Sequence, residues 1–317
     1  MNILITGTAG FIGFHLSNLF LDQNHKIIGI DNLCKSYGVK YKKERLQILK
    51  KNKNFKFYKL DINNINKIKE KKIDYIIHLA AQAGVRLSQE RPELFINDNI
   101  LGTLKIFEFA RKNKIKKIFY ASSSSVYGNS NVFPSSEKIN INKPLSIYGI
   151  TKSTNEDLAY YYNFVDGISS IGFRFFTVYG PYGRPDMSIG IFFKAFLNKQ
   201  KIYLFNKGDN YRDFTYVDDI VNQIYACFLK TKNEKKFLKV FNIGGESTIL
   251  MKNLVKLIQK ITNKSTKIIY AKKNKLDPVK SLANNNAIKK FTGYTKKTKI
   301  NEGLLKVYNN IKFTLQN

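Results

Sequence analysis

The chain has 317 residues and 43% hydrophobic content, enough for one large domain or two fused ones with a real core. No apolar run approaches the ~18 residues of a membrane span, and the N-terminus begins at once with the strand-like NILIT and has no basic region before it, so neither a membrane partner nor a signal peptide is expected and the cytoplasm is the default location. The net charge of +31 suggests nucleic acid first, but the lysines are spread everywhere and alternate with Asn and Ile (KYKKER, KKNKNFK, TKKTK). That composition reads as a basic solvated surface with no specific nucleic-acid partner. A positive field that helps an anionic small substrate arrive is the other reading. Cys34 and Cys227 match no disulfide or zinc spacing, and His15, His25 and His78 form no His-x-x-x-His pair, so no metal is expected.

Taken in order, NILIT (2–6) reads as a strand and FIGFHLSNLFLD as a helix. Further strands are expected at 26–31, 55–62, 73–81, 116–123 and 168–176, with helices at about 94–112 and 148–165. The strands are apolar nearly throughout, as strands covered on both faces are. Their alternation with helices implies an α/β fold, a doubly wound parallel sheet with right-handed crossovers. After RFFTVYGPYGRPD the rhythm breaks into helices at about 188–199, 217–231, 250–262 and 301–313, with short strands KIYLF and KVFNIGG. This reads as a smaller α/β lobe set against the open end of the sheet. The stretch 263–300 is the least defined.

TGTAGFIG places Gly7, Gly10 and Gly13 directly after the first strand and at the start of a helix. There Gly7 permits a tight turn, Gly10 lets the backbone approach a pyrophosphate, and Gly13 lets helix and strand pack closely. Asp31 ends the second strand, where a carboxylate accepts both ribose hydroxyls of an adenosine and repels a 2′-phosphate, which favours NAD over NADP; Lys35 nearby could tolerate that phosphate. Asp61 and Ile62 either frame the adenine or cap the turn NNINKI.

YGITK puts Tyr148 and Lys152 at i and i+4 on one helix face. A tyrosine acting as base near neutral pH must drop ~3 units from its reference value, roughly 4 kcal/mol of preferential anion stabilisation. A neighbouring ammonium and an oxidised nicotinamide can supply it.

Together, TGTAGFIG, HLAAQAGV, SSSSVYG, YGITK, RFFTVYGPYGRPD and RDFTYVDDIV resemble the extended short-chain dehydrogenase/reductases that act on nucleotide sugars, over nearly the whole chain and most closely the UDP-glucuronate 4-epimerases. The resemblance implies NAD as cofactor, a UDP-sugar as substrate and a homodimer through the helices at about 94–112 and 148–165. It implies a Rossmann domain over 1–178, with segments around 214–246 returning to it, and a nucleotide-sugar-binding lobe over 179–317. Tyr148 is then base and acid, Ser123 the hydrogen-bond partner of the reacting oxygen, Lys152 the contact to the nicotinamide ribose, and Asn99 the structural asparagine behind that lysine. The backbone at Phe11 and Ile12 meets the pyrophosphate; Asn32, Leu79, Ala80, Ala81, Ser122 and Phe175 complete the cofactor site.

Members of this family share a first step, oxidation of a sugar hydroxyl to a 4-keto sugar, and diverge afterwards. Dehydratases carry an Asp-Glu pair after the catalytic hydroxyl residue and glucuronate decarboxylases a Glu two residues after it. Ser124 and Ser125 stand at those positions, which leaves epimerisation. Ser124, Ser125, Thr177 and Arg184 are the candidates for holding a sugar carboxylate, Arg184 alternatively tethering its own loop. Arg86 is expected at the mouth of the site, followed by Leu87 where the family shows Tyr. Tyr203 and Phe205 in IYLFNKG, with Arg212, resemble the segments that hold uracil and diphosphate. Lys273, Lys275 and Asp277 stand where a second family arginine is expected. Two rivals remain: a 4-epimerase for a neutral or N-acetylated UDP-sugar, and a non-catalytic NAD-binding regulator.

Overall fold

A computed structural model describes residues 1–70, 72–141, 143–272 and 278–316. The first half runs β1 (Asn2–Thr6), α1 (Phe11–Asp22), β2 (Lys26–Asp31), α2 (Val39–Leu49), β3 (Phe55–Lys59) and β4 (Tyr75–His78). It continues with α3 (Val85–Glu90), α4 (Pro92–Phe95), a π-turn (Ile96–Leu101), α5 (Gly102–Lys112), β5 (Lys117–Ser123), α6 (Ile147–Asp166) and β6 (Ser169–Phe175). Then come β7 (Thr177–Tyr179), α7 (Ser188–Leu197), β8 (Ile202–Phe205), β9 (Tyr211–Tyr216), α8 (Val217–Thr231) and β10 (Leu238–Ile243). The chain closes with β11 (Thr248–Leu250), α9 (Met251–Thr262), β12 (Ile268–Ala271), α10 (Asn286–Thr292) and α11 (Ile300–Gln316).

Seven strands form one sheet in the order β10-β6-β5-β4-β1-β2-β3, with every pairing parallel. Alternation along β1 shows why its residues are apolar throughout. Ile3 and Ile5 pack into one layer with Phe14 and Phe20 of α1 and Ile224 and Phe228 of α8. Leu4 faces the other layer, with Ile106 and Phe107 of α5 and Ala159 and Tyr162 of α6. The strand order reverses between β1 and β4, and the crevice at the carboxyl ends of those strands is where such sheets bind ligands.

The second lobe has its own core, in which Phe192, Phe193 and Phe196 of α7 meet Leu254, Val255 and Ile258 of α9 and Leu304 and Val307 of α11. Its sheets are small: β11-β9-β7, and β12 paired parallel to β8. Among the described residues no helix is long and apolar enough to cross a membrane.

Three local expectations change. The third strand stops at Lys59, because Asp61 turns its side chain back to accept from the Asn63 N–H at 2.9 Å and opens a 3₁₀ turn. The expected helix at 94–112 begins at Pro92 and is interrupted by the π-turn that carries Asn99. The lysine run KYKKER belongs to α2, which buries Lys42, Arg45, Leu46 and Leu49, a helical spacing hidden by its charges.

Candidate active site

The glycine turn between β1 and α1 is a close approach of backbone to backbone. Gly7 has φ +72°, and a Cβ there would sit 2.8 Å from the Ala80 nitrogen; a Cβ on Gly13 would collide with the Gly7 carbonyl oxygen. The Cβ-free cradle therefore exists, at the N-terminus of α1, and it fits a dinucleotide pyrophosphate. At the end of β2 the Asp31 carboxylate accepts the N–H of Ala9 at 3.1 Å and of Leu33 at 2.8 Å, which aims it at the same crevice. Of the two readings of Asp61, the structure shows the cap: Oδ1 accepts from the Asn63 N–H of the 3₁₀ turn, while Oδ2 accepts from the Asn32 amide at 2.8 Å beside the cleft.

These groups line a cleft of about 500 Å³ that runs between the sheet and the second lobe. Of the expected cofactor residues, Gly7, Gly10, Phe11, Ile12, Gly13, Asp31, Asn32, Asp61, Ile62, Leu79, Ala80, Ala81, Ser122, Tyr148, Lys152 and Phe175 all reach its wall. So do Ser123, Ser124, Ser125, Thr177, Arg184 and Arg212 among the expected substrate residues.

Four residues do not line it. Asn99 is fully buried behind the wall: it accepts from the Gln82 N–H at 2.8 Å and donates to Gln82 O and Thr151 Oγ1, both at 3.0 Å. It thus braces the residue before Lys152 rather than the lysine itself. Arg86 lays its guanidinium over the Phe205 ring at 4.4 Å, a contact between α3 and β8. Tyr203 falls on the outward face of β8, 57% exposed. Lys273, Lys275 and Asp277 lie outside the described residues.

The chemistry-bearing side chains meet where β5 and α6 converge. The Lys152 ammonium is buried, donates to the Ala121 carbonyl at 3.0 Å and lies 5.9 Å from the Tyr148 ring centre. Burial pulls its pKa down to about 8. Burial pushes the Tyr148 hydroxyl above its usual value, opposed by a hydrogen bond to Ser123 and by the charge of Arg184. The chain's own residues therefore do not bring this tyrosine to a base's pKa. Ser123 caps the 3₁₀ turn Ser124–Tyr127 by accepting from the Ser125 N–H at 3.1 Å, and it also donates to Ser125 Oγ at 3.2 Å.

The Ser122 hydroxyl is committed elsewhere, donating to Glu156 Oε1 at 2.5 Å. Glu156 continues the stripe of Tyr148 and Lys152 at i+4 spacing along α6. Arg174 of β6 grips it twice, at 2.9 and 2.7 Å, with both side chains buried. This bidentate pair ties α6, the helix that carries the tyrosine and lysine, to β6 of the sheet. His78 is no rival base: burial pushes its pKa to about 3, and it bridges Thr6 at 2.7 Å and Thr103 at 3.1 Å.

Sequence reading missed Tyr37, Lys42, Gln82, Asp98 and Met187, all on the cleft wall. Lys42, 3.8 Å from Asp31 and 3.0 Å from Cys34 Sγ, could have been found from the buried period of α2. Met187 and Ser281, from loops, carry no such signal.

Residues 3–244 match the NAD dependent epimerase/dehydratase family. The UDP-glucuronate 4-epimerase of Thermodesulfobacterium geofontis is 37% identical over 96% of this chain and 94% of its own. The crystal structure of the UDP-glucuronic acid 4-epimerase from Bacillus cereus, in complex with UDP-glucuronic acid and NAD, superposes with a TM-score of 0.92 at 32% identity, covering 99% of this chain and 100% of that one. The UDP-glucose 4-epimerase of Thermotoga maritima, with UDP-glucose, gives 0.89 at the same identity, with 99% and 100% covered. Matched over three quarters of its length, this chain belongs to the NAD dependent epimerase/dehydratase family.

Proposed function

We propose that the protein interconverts UDP-glucuronate and UDP-galacturonate by inversion at C4 through a 4-keto sugar. The observation that carries this reading is the lining of the cleft: Ser123, Ser124, Ser125, Thr177 and Arg184 share it with Tyr148, with hydroxyls where dehydratases and decarboxylases need carboxylates. When bound, NAD supplies a hydride acceptor at the sugar carbon and a positive charge beside Tyr148. The glycine cradle and the Asp31 carboxylate would hold it, with Lys152 against the nicotinamide ribose. Tyr148 takes the proton of the C4 hydroxyl and gives it back after the ring has turned, with Ser123 bonded to the same oxygen. Arg184, Thr177 and the two serines hold the uronate as an anion, which restrains loss of carbon dioxide from the β-keto acid.

We assign residues 1–178, with the returning segment around 214–246, to the cofactor, and 179–317 mainly to the nucleotide sugar. A homodimer through α6 and its neighbours is supported by an exposed apolar stripe, Tyr160, Tyr161, Phe164 and Val165, with Phe164 78% exposed. A monomer in sedimentation at working concentration would remove the dimer from the reading.

A neutral UDP-sugar is the second reading, favoured by the Thermotoga relative's equal identity. An NMR time course with UDP-glucuronate, UDP-glucose and UDP-N-acetylglucosamine separates the two. The uronate reading expects galacturonate to appear without carbon dioxide or NADH, and turnover of the neutral sugars alone overturns it.

A further inference from the structure

Arg45 of α2 lies wholly inside the fold, 1% exposed. The ion pairs of that helix are made by its neighbours, Lys42 with Asp31 and Glu44 with Lys40, and among the described residues Arg45 pairs with no carboxylate. Its five N–H donors are instead taken up by three backbone carbonyls and a phenol. Nη1 donates to the Ala9 carbonyl at 3.0 Å and to the Tyr37 hydroxyl at 2.8 Å. Nε and Nη2 both donate to the Tyr182 carbonyl, at 3.1 and 2.7 Å, and Nη2 also reaches the Gly183 carbonyl at 3.3 Å.

These acceptors belong to the two ends of the cleft. Ala9 is part of the glycine turn, and its own N–H goes to the Asp31 carboxylate at 3.1 Å. Tyr182 and Gly183 lead directly into Arg184, which lines the cleft with Tyr148. A second path runs through Tyr37, whose ring lies 5.1 Å from the Arg184 guanidinium. Arg45 is not itself among the residues that line the cleft. It bridges the two ends from behind the wall.

The loop end of this bridge is strained. Tyr182 has φ +53°, a left-handed conformation that a bulky side chain disfavours. Its carbonyl is held by Arg45 and its N–H donates to Asn310 Oδ1 at 2.8 Å, so the residue is fixed on both sides. Without the guanidinium Tyr182 can relax, and Gly183 and Arg184 move with it. The charge points the same way. A buried cation with no carboxylate beside it is stabilised when an anion settles nearby, and the turn that carries Ala9 fits a dinucleotide pyrophosphate.

We propose, on the epimerase reading above, that Arg45 is a positioning residue coupling the two ends of the cleft. NAD on the glycine turn fixes Ala9 and, through Arg45, the loop that presents Arg184 to the sugar nucleotide. Arg45 touches no reacting atom. Linkage makes the effect mutual, so a sugar nucleotide that settles the loop tightens NAD by the same factor. In a reaction that returns the hydride to the sugar it came from, this coupling keeps the cofactor in place while the keto sugar is present.

The test is the coupling factor, read by calorimetric titration of NAD with UDP-glucuronate absent and saturating. Tyr148→Phe serves as the parent, so that the sugar is not turned over during the titration. There UDP-glucuronate should tighten NAD roughly tenfold, an ordinary strength for coupled sites. Adding Arg45→Lys keeps the charge and removes the fork that spans both ends. The factor should then fall to about twofold, the part that direct contact between nicotinamide and sugar leaves. Adding Tyr37→Phe instead, which takes away one acceptor, should give an intermediate factor. An unchanged Tm checks each fold, and if Arg45→Lys lowers it, Tyr37→Phe decides alone.

A residue that only braces the loop, or only the glycine turn, weakens one ligand equally whether or not the other is bound. An unchanged factor therefore overturns the proposal, however far the affinities fall. A parent in which neither ligand tightens the other overturns it as well. If UDP-glucose binds and UDP-glucuronate does not, the uronate reading fails alone, and the factor read with UDP-glucose decides the coupling. If neither binds, the epimerase reading fails and takes the coupling with it.

Discussion

At the cofactor end of the cleft the walls are backbone: the glycine turn, the strand ends of β1 and β4, and a carboxylate held by two N–H groups. At the end proposed for the sugar they are side chains: Ser123 to Ser125, Thr177, Arg184 and Arg212. The first end recognises a shape common to every dinucleotide and changes little with sequence. The second recognises one sugar among many and depends on what each donor is already bonded to. Structures for a uronate and for glucose are both 32% identical to this chain, so overall identity does not choose between the two sugars.

Substitutions at the two ends should fail in different ways. The largest expected effect is on the chemistry alone: Tyr148→Phe should lower turnover about 10³-fold while NAD affinity, measured by titration, stays within about twofold. A parallel loss of NAD binding would mean that the two ends are not separable.

Lys152, on the border between them, gives a pH signature. Its pKa in the fold is about 8 against 10.5 unfolded. Between those values the unfolded chain holds the proton and the folded one does not, so the stability of the cofactor-free protein rises with pH across that window and is lowest below pH 8. The shift corresponds to about 3 kcal/mol. Lys152→Met should remove that rise and leave the protein more stable than wild type at pH 7, although inactive. Denaturant curves at pH 7 and pH 9.5 check it, and an identical wild-type and variant slope would contradict the assigned burial cost.

The smallest expected effect belongs to the cradle. Gly13→Ala should cost on the order of 1–3 kcal/mol in stability and weaken NAD. Once NAD is saturating, it should leave the ratio of uronate to neutral-sugar turnover unchanged. A changed ratio would show that the backbone end also reads the sugar.

The same contrast governs what could be read from sequence. Backbone architecture leaves a periodic trace. TGTAGFIG after a strand, Asp31 at the next strand end and Tyr148 four before Lys152 each follow from local geometry, and the doubly wound parallel sheet followed from apolar strands alternating with helices. Partnering leaves none. Nothing in the spacing of GRPD shows that Arg184 is half-satisfied by Asp186, that Ser122 belongs to Glu156, or that Arg86 is laid on Phe205. The π-turn at Asn99 was hidden because its residues suit a continuous helix equally well. In α2 the period was present but masked, since Lys42 and Arg45 are buried through specific partners and look like surface charge.

One consequence of the glycine cradle concerns second-site suppression. The three atoms nearest to a side chain added at Gly13 belong to the main chain of Gly7 and Thr8, which no substitution elsewhere can trim. Gly303, packed with equal closeness against the Tyr179 ring and hydroxyl, meets a side chain instead. A genetic screen starting from Gly303→Ala should recover compensating changes at Tyr179. One starting from Gly13→Ala should return true revertants only, which makes the cradle a part of the chain that can be lost but not renegotiated.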